Sequence, residues 1–257
     1  PRLRGADHRV GGMELTVLGG AGAWPSAEQP CSGYVVEHDG FRLLLDPGYA
    51  TAPALMRLMD VADIDAVYVT HGHPDHCADL NPLLRARAMA DSPPRPLPLY
   101  ALPGSLDAVL GLDRPGMLEP AYQLREFEAG DHFEIGPFAV DTRMLPHSRP
   151  NAGVRLTTGG SVLAYTGDTG PSRDVVALAR RADLLIAEAT YPVEVPADNL
   201  GTLTSARDAA LQAADAEVGH LMLTHLWPGT NPDAAIRAAE AFSGPTGVAT
   251  TGLTVHV

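Results

Sequence analysis

The sequence predicts an α/β protein in which two mixed β-sheets pack face to face with helices outside, a four-layer αββα sandwich. Two observations predict it. Short strands dominate the first half, and helices alternate with strands in the last third, so two similar halves each supply a sheet with its covering helices. A third sets the domain count: no linker separates the halves and no short repeat divides the chain, so residues 13–257 read as one domain.

The elements follow in order. Leu15-Thr16-Val17-Leu18, Tyr34-Val35-Val36 and Phe41-Arg42-Leu43-Leu44-Leu45 are β-rich runs between glycines and Asp-Gly or Asp-Pro-Gly turns. Asp39-Gly40 predicts a tight hairpin. A helix over Ala52–Met59 leads to strand Ala66–Val69, and a second helix over Ala78–Ala90 stops before the prolines from Pro93 to Pro98. Strand Leu99–Ala101 and a short helix over Ser105–Leu110 come next. The middle reads as sheet: Tyr122–Phe127, His132–Ile135, Phe138–Met144, Gly153–Thr157 and Ser161–Tyr165. Then helix Ser172–Arg181 precedes strand Leu184–Ala187, helix Ser205–Ala216 precedes strand Leu221–Leu223, and helix Pro232–Phe242 precedes a final strand pair.

Composition narrows the functional classes. Residues 1–12 carry Arg2, Arg4 and Arg9 without an apolar core, and read as a tag or a disordered N-terminus. No apolar run approaches the roughly 20 residues of a membrane span. Two cysteines, Cys31 and Cys77, are too few for a disulfide framework, so a cytoplasmic setting is expected. The net charge is −13 and all 18 basic residues are arginine. An acidic surface without a basic stripe argues against long nucleic acids as partners. A homodimer is the default assembly.

The densest chemistry is His71-Gly72-His73-Pro74-Asp75-His76, directly after the apolar run Val67-Tyr68-Val69-Thr70. Three imidazoles and a carboxylate in six residues suit zinc, manganese or iron. A solvated polar loop is the bland alternative. Three further candidates share the same placement, after a β-run and before a turn: His147, Asp168 between Gly167 and Gly170, and His225. Taken together they suggest His71, His73 and His147 on one divalent ion, Asp75, His76 and His225 on a second, and Asp168 bridging.

These segments, Thr70–His76, Pro146-His147-Ser148, Tyr165–Thr169 and Leu223-Thr224-His225, resemble in order the ligand motifs of the metallo-β-lactamase fold superfamily. Ala182–Tyr191, with Glu188-Ala189-Thr190, is similar to the Glu-Ala-Thr strand end of its ribonuclease Z-like branch. The resemblance covers Met13 to Val257 and implies the fold and the metal pair, while substrate varies widely on this fold. Two departures from ribonuclease Z stand out. Only Ser148–Gly167 lies where that enzyme has its transfer-RNA-binding arm, and Gly201-Thr202-Leu203-Thr204-Ser205 lacks the histidine that partners the family's glutamate.

The function expected is therefore a binuclear metal-dependent hydrolase, using a hydroxide between two zinc ions (manganese or iron as alternatives) on a small phosphodiester such as a cyclic nucleotide or short oligonucleotide. Asp75 and Glu188 are the candidate catalytic residues, Glu188 alternatively orienting a metal-bound histidine. Trp24 and Trp227 are the candidate substrate contacts, and Asp46 reads as a turn residue behind the metal ligands. Hydrolysis of a lactone, thioester or other acyl compound is the second reading, and a non-catalytic metal-binding protein the third.

Overall fold

The structure, a computed structural model, describes residues 12–257. The expected N-terminal tag over residues 1–12 lies, Gly12 apart, outside the described residues, as does His8. Two seven-stranded sheets face each other. The first contains β1 (Glu14–Gly19), β2 (Gly33–His38), β3 (Phe41–Leu45), β4 (Ala66–Tyr68), β5 (Leu97–Ala101) and β6 (Tyr122–Glu126). The second contains β7 (His132–Ile135), β8 (Phe138–Leu145), β9 (Asn151–Thr158), β10 (Ser161–Tyr165), β11 (Leu184–Glu188), β12 (His220–Thr224) and β13 (Thr246–Val248). The last strand, β14 (Thr254–His256), crosses back to the first sheet. The expected final strand pair is therefore split, β13 running parallel to β12 and β14 antiparallel to β1.

Three apolar layers explain the architecture. Between the sheets, Leu15, Val17, Tyr34, Leu43 and Tyr68 meet Phe138, Val140, Val154, Leu163 and Ile186. On the outer face of the first sheet, Val35, Leu44 and Val67 share an apolar layer with Leu55 of α1 (Thr51–Met56), Leu80, Leu83 and Leu84 of α3 (Leu80–Ala88) and Val109 of α4 (Asp107–Leu110). On the outer face of the second, Ala164, Leu185 and Leu223 meet α5 (Arg173–Ala179), α6 (Ala206–Asp215) and α7 (Pro232–Ala238). Strands covered on both faces need no polar alternation, which is why Leu43-Leu44-Leu45 and Leu184–Ala187 read as continuous apolar runs.

Local chemistry sets the ends. Ser172, Ser205 and Asn231 accept the N–H groups of Val175, Asp208 and Asp233 as N-caps. Asp39 (φ 49°) and Gly40 (φ 79°) make the left-handed two-residue turn that matches hairpin twist. One helix starts earlier than expected. α2 (Pro74–Cys77) lies within the histidine motif, with Pro74 preset for the first turn, and α3 follows after Asp79.

Strand direction positions the functional residues. β3 and β4 run parallel, and β10, β11 and β12 run parallel to one another. β8 is antiparallel to β9, itself antiparallel to β10, so β8 ends at the same edge as β10. The segments carrying His71, His147, Asp168 and His225 therefore leave C-terminal strand ends. Among the described residues no helix is long and apolar enough to cross a membrane.

Candidate metal centre

The seven residues singled out in the sequence converge on that edge. Ligand atoms of His71, His73, His147 and Asp168 form one group, and those of Asp75, His76, Asp168 and His225 a second, each within 4.8 Å. In the first, His73 Nδ1 is 3.1 Å from His71 Nε2 and 3.0 Å from His147 Nε2. In the second, His225 Nε2 is 3.1 Å from Asp75 Oδ2. Asp168 divides its oxygens: Oδ2 lies 3.8 Å from both His71 Nε2 and His147 Nε2, and Oδ1 lies 3.0 Å from His76 Nε2 and 3.2 Å from His225 Nε2.

The surroundings decide which way each imidazole presents itself. His76 Nδ1 donates to Asp46 Oδ2 at 2.7 Å. The Thr70 hydroxyl donates to Asp46 Oδ2 (2.7 Å), so at 3.1 Å from His71 Nδ1 it accepts. The Thr190 hydroxyl likewise donates to Glu188 Oε1 (2.7 Å) and accepts from His225 Nδ1 at 2.9 Å. His147 Nδ1 donates to the Thr202 carbonyl at 2.9 Å. Four Nδ1 hydrogens are thus committed outward, leaving four Nε2 lone pairs aimed inward with the oxygens of Asp75 and Asp168. His73 alone points Nδ1 inward.

A divalent cation fits this donor set. His76 Nε2 and Asp168 Oδ1 are buried, 3.0 Å apart, and neither makes a hydrogen bond among the described residues. Two buried ligand atoms this close with no hydrogen bond to satisfy them suit a shared third point between them. His/Asp chemistry of this kind binds divalent metal.

The electrostatics agree. Burial opposes charge on His76, but Asp168, Asp75 and Asp46 outweigh it and push its pKa well above the ordinary imidazole value. His225 rises for the same reason, against burial and through Asp168 and Asp75. Burial also opposes ionisation of Asp168, yet His225 and His76 hold it well below the usual carboxylate range. His71 is depressed by burial and by His76. Without a cation the second group thus takes up protons in the place a cation would fill.

Glu188 is 1% exposed and both of its oxygens are engaged. Oε2 accepts Thr169 N (2.5 Å), and Oε1 accepts Thr190 Oγ1 (2.7 Å) and Thr204 N (2.9 Å). Burial, then the charge of Asp168, pushes its pKa up to about 8 against His225 and the N–H donors. Trp24, 48% exposed, and Trp227 meet with ring centroids 5.7 Å apart. Tyr191 adds a third ring 5.2 Å from Trp227, its hydroxyl held by Asn199 at 2.7 Å.

Sequence reasoning assigned no role to Thr190, Tyr191 or the Thr202 carbonyl, whereas Asp46, read as a turn residue behind the metal ligands, takes that place. Asp46 collects Thr70 N, Thr70 Oγ1, His76 Nδ1 and Tyr165 OH, from β10 of the opposite sheet. Its Leu-Asp-Pro-Gly turn was the available signal; Thr202 acts through its backbone and carried none. Cys31 and Cys77 are free and buried, outside both ligand groups, with burial raising each thiol to about 12. A cavity of about 520 Å³ lies at the opposite sheet edge, by Ser161, Leu184 and His220 at the strand starts.

A family model described as a Beta-lactamase superfamily domain matches residues 41–226. An uncharacterized protein of Mycobacterium leprae is 32% identical over 259 residues, covering 95% of this chain and 89% of that protein. The probable metallo-hydrolase YhfI of Bacillus subtilis is 28% identical over 245 residues, covering 93% of this chain and 98% of its own. Its crystal structure, at 27% identity, matches 96% of this chain and 100% of that one with a TM-score of 0.87. A ribonuclease Z of Haloferax volcanii is 28% identical over 302 residues, covering 95% of both proteins.

Proposed function

Because this chain belongs to the metallo-β-lactamase fold superfamily, in its ribonuclease Z-like branch, we propose that it is a binuclear metallo-hydrolase acting on a small phosphodiester, a cyclic nucleotide or short oligonucleotide. The observation that carries this reading is the convergence of inward Nε2 lone pairs and carboxylate oxygens on two groups joined by Asp168. His71, His73 and His147 would hold one divalent ion, zinc on this reading, and Asp75, His76 and His225 the other, with Asp168 shared. Bound ions supply a water of lowered pKa and offset the charge developing on a phosphoryl oxygen.

The chain's own groups do the aiming. Asp75 Oδ2 accepts Ala23 N–H at 2.8 Å, which fixes the carboxylate plane. From there Asp75 would accept a hydrogen bond from the attacking water and turn its lone pair towards phosphorus. Glu188 is buried with both oxygens engaged, so its part is to hold Thr190, and through it His225. Trp24 and Trp227, backed by Tyr191, would offer a ring face on which a base stacks.

A small substrate fits what surrounds the site. Between His147 and Asp168 the chain forms only the β9–β10 hairpin and its flanks. The net charge of −13 disfavours a long phosphate backbone. The phosphodiester bond is favoured over an acyl bond by the ribonuclease Z relative.

The test is hydrolysis of bis-aryl phosphate and 3′,5′-cyclic nucleotides by zinc-loaded protein, beside a lactone and thioester panel. Phosphodiester turnover is expected, falling at least about 100-fold in Asp168→Ala, the scale for losing one preorganised electrostatic group. Turnover of the acyl panel alone would replace this reading with acyl hydrolysis. Bound zinc without any turnover would leave a metal-binding protein.

A further inference from the structure

We infer that the two ligand groups are unequal: the group of Asp75, His76 and His225 with Asp168 takes the first ion and holds it more tightly, and Thr190 is the positioning residue specific to it. The inference rests on the metallo-hydrolase reading above.

Four observations separate the groups. First, charge: the Asp75 group has a carboxylate of its own besides Asp168, whereas the His73 group has only the shared one. Coulomb attraction for a dication grows with each. Second, burial: all four members of the Asp75 group are buried, while His73 and His147 are only partly so. Attraction in the drier group is less screened, and its ion is less open to exchange.

Third, support. His76 is held directly by the Asp46 carboxylate at 2.7 Å, and His225 reaches the Glu188 carboxylate through one hydroxyl, that of Thr190. In the other group His71 reaches Asp46 by an equivalent relay through the Thr70 hydroxyl, but His147 leans on a neutral carbonyl where His76 has a carboxylate, and that is the difference in support. No hydrogen bond among the described residues holds the outer nitrogen of His73. A carboxylate behind an imidazole raises its basicity as a ligand and fixes its orientation. Fourth, the buried atoms that lack any hydrogen bond at the centre, His76 Nε2 and Asp168 Oδ1, both face the Asp75 group. An ion there relieves both.

Thr190 is the hinge of this asymmetry. Its single hydroxyl hydrogen goes to Glu188, so the oxygen must accept from His225, which holds the tautomer whose Nε2 faces Asp75 and Asp168. A valine in its place keeps the shape and loses both bonds.

The experiment strips the full chain with chelator and titrates it with zinc alone, following heat and competition with a chromophoric chelator. Two steps are expected, differing at least tenfold in affinity. His147→Ala should lose the weaker step and keep the tighter. Thr190→Val should weaken the tighter step by 10- to 100-fold, the usual effect of removing such a partner, and Thr190→Ser should restore it. The proposal is overturned by two steps within threefold of each other, by loss of the tighter step in His147→Ala, or by unchanged affinities in Thr190→Val. Two equal ions with intact phosphodiester hydrolysis would overturn the order alone. No zinc bound to the unmodified chain would overturn the metallo-hydrolase reading with it.

Discussion

Gly170 packs its Cα against the main chain of Gly201 so closely that a methyl group there would overlap the Gly201 carbonyl. The contact seats residues 199–204 on the loop that carries Asp168. It brings the Thr202 carbonyl to His147 Nδ1 and Thr204 N to Glu188 Oε1, each at 2.9 Å. Gly170→Ala must push these strands of chain apart. It should cost about 1–3 kcal/mol, as overpacking does, and weaken zinc binding by roughly tenfold through His147. Denaturant melts of the metal-free protein and zinc titration check both, and wild-type values for both would refute the coupling.

Asp46 serves both ligand groups, directly through His76 and through Thr70 to His71. Asp46→Asn should therefore weaken both zinc steps, whereas Thr190→Val weakens one. The amide also sets a donor against hydrogens from Thr70, His76 or Tyr165, and one unsatisfied buried group costs about 1–3 kcal/mol. A variant that loses stability but binds both ions normally would reduce Asp46 to a packing role.

Removing metal should destabilise the fold. Binding at 1,000 times Kd contributes about 4 kcal/mol per site, and about 2–4 °C of melting temperature accompanies each kcal/mol in a chain of this size. Chelated protein should melt roughly 10 °C or more below the zinc-loaded protein, with recovery on adding zinc. Identical melting curves would contradict a metal bound in the folded state.

The metal-free protein should lose stability as pH rises from about 5 to about 8. Glu188 is raised to about 8, by burial and then Asp168, so the folded state holds a proton that the unfolded chain has released. The stability this contributes is complete below the ordinary carboxylate pKa and disappears as pH rises through about 8. His76 and His225, raised against their own burial by Asp168 and Asp75, act in the same direction. Glu188→Gln cannot titrate and should flatten the slope, even if its amide lowers the melting temperature at every pH. An unchanged slope in that variant would mean the carboxyl does not titrate in this window.

Much of the fold was legible because its signals are local. Asp39-Gly40 specifies its turn by backbone conformation alone, and runs such as Leu43-Leu44-Leu45 announce strands covered on both faces. The start of α2 was misplaced because His71–His76 read as a loop of ligands, although Pro74 is a good first residue of a helix. The split of β13 from β14 could not be read either. Pairing partners far apart in sequence are chosen by which sheet edge is open.

The site divides the same way. His71, His73, Asp75, His76, His147, Asp168 and His225 were legible by residue type and by position after a β-run, features carried within a few neighbouring residues. What only the tertiary structure decided is how they are held: Tyr165 reaching Asp46 from the opposite sheet, Thr190 standing between Glu188 and His225, a Thr202 carbonyl on His147, and Tyr191 behind Trp227. Hydrogen bonds act over about 3 Å between groups that the fold, not the chain order, makes neighbours. Which residues are candidate ligands is thus a property of the sequence, and the direction each of them faces is a property of the packing around it.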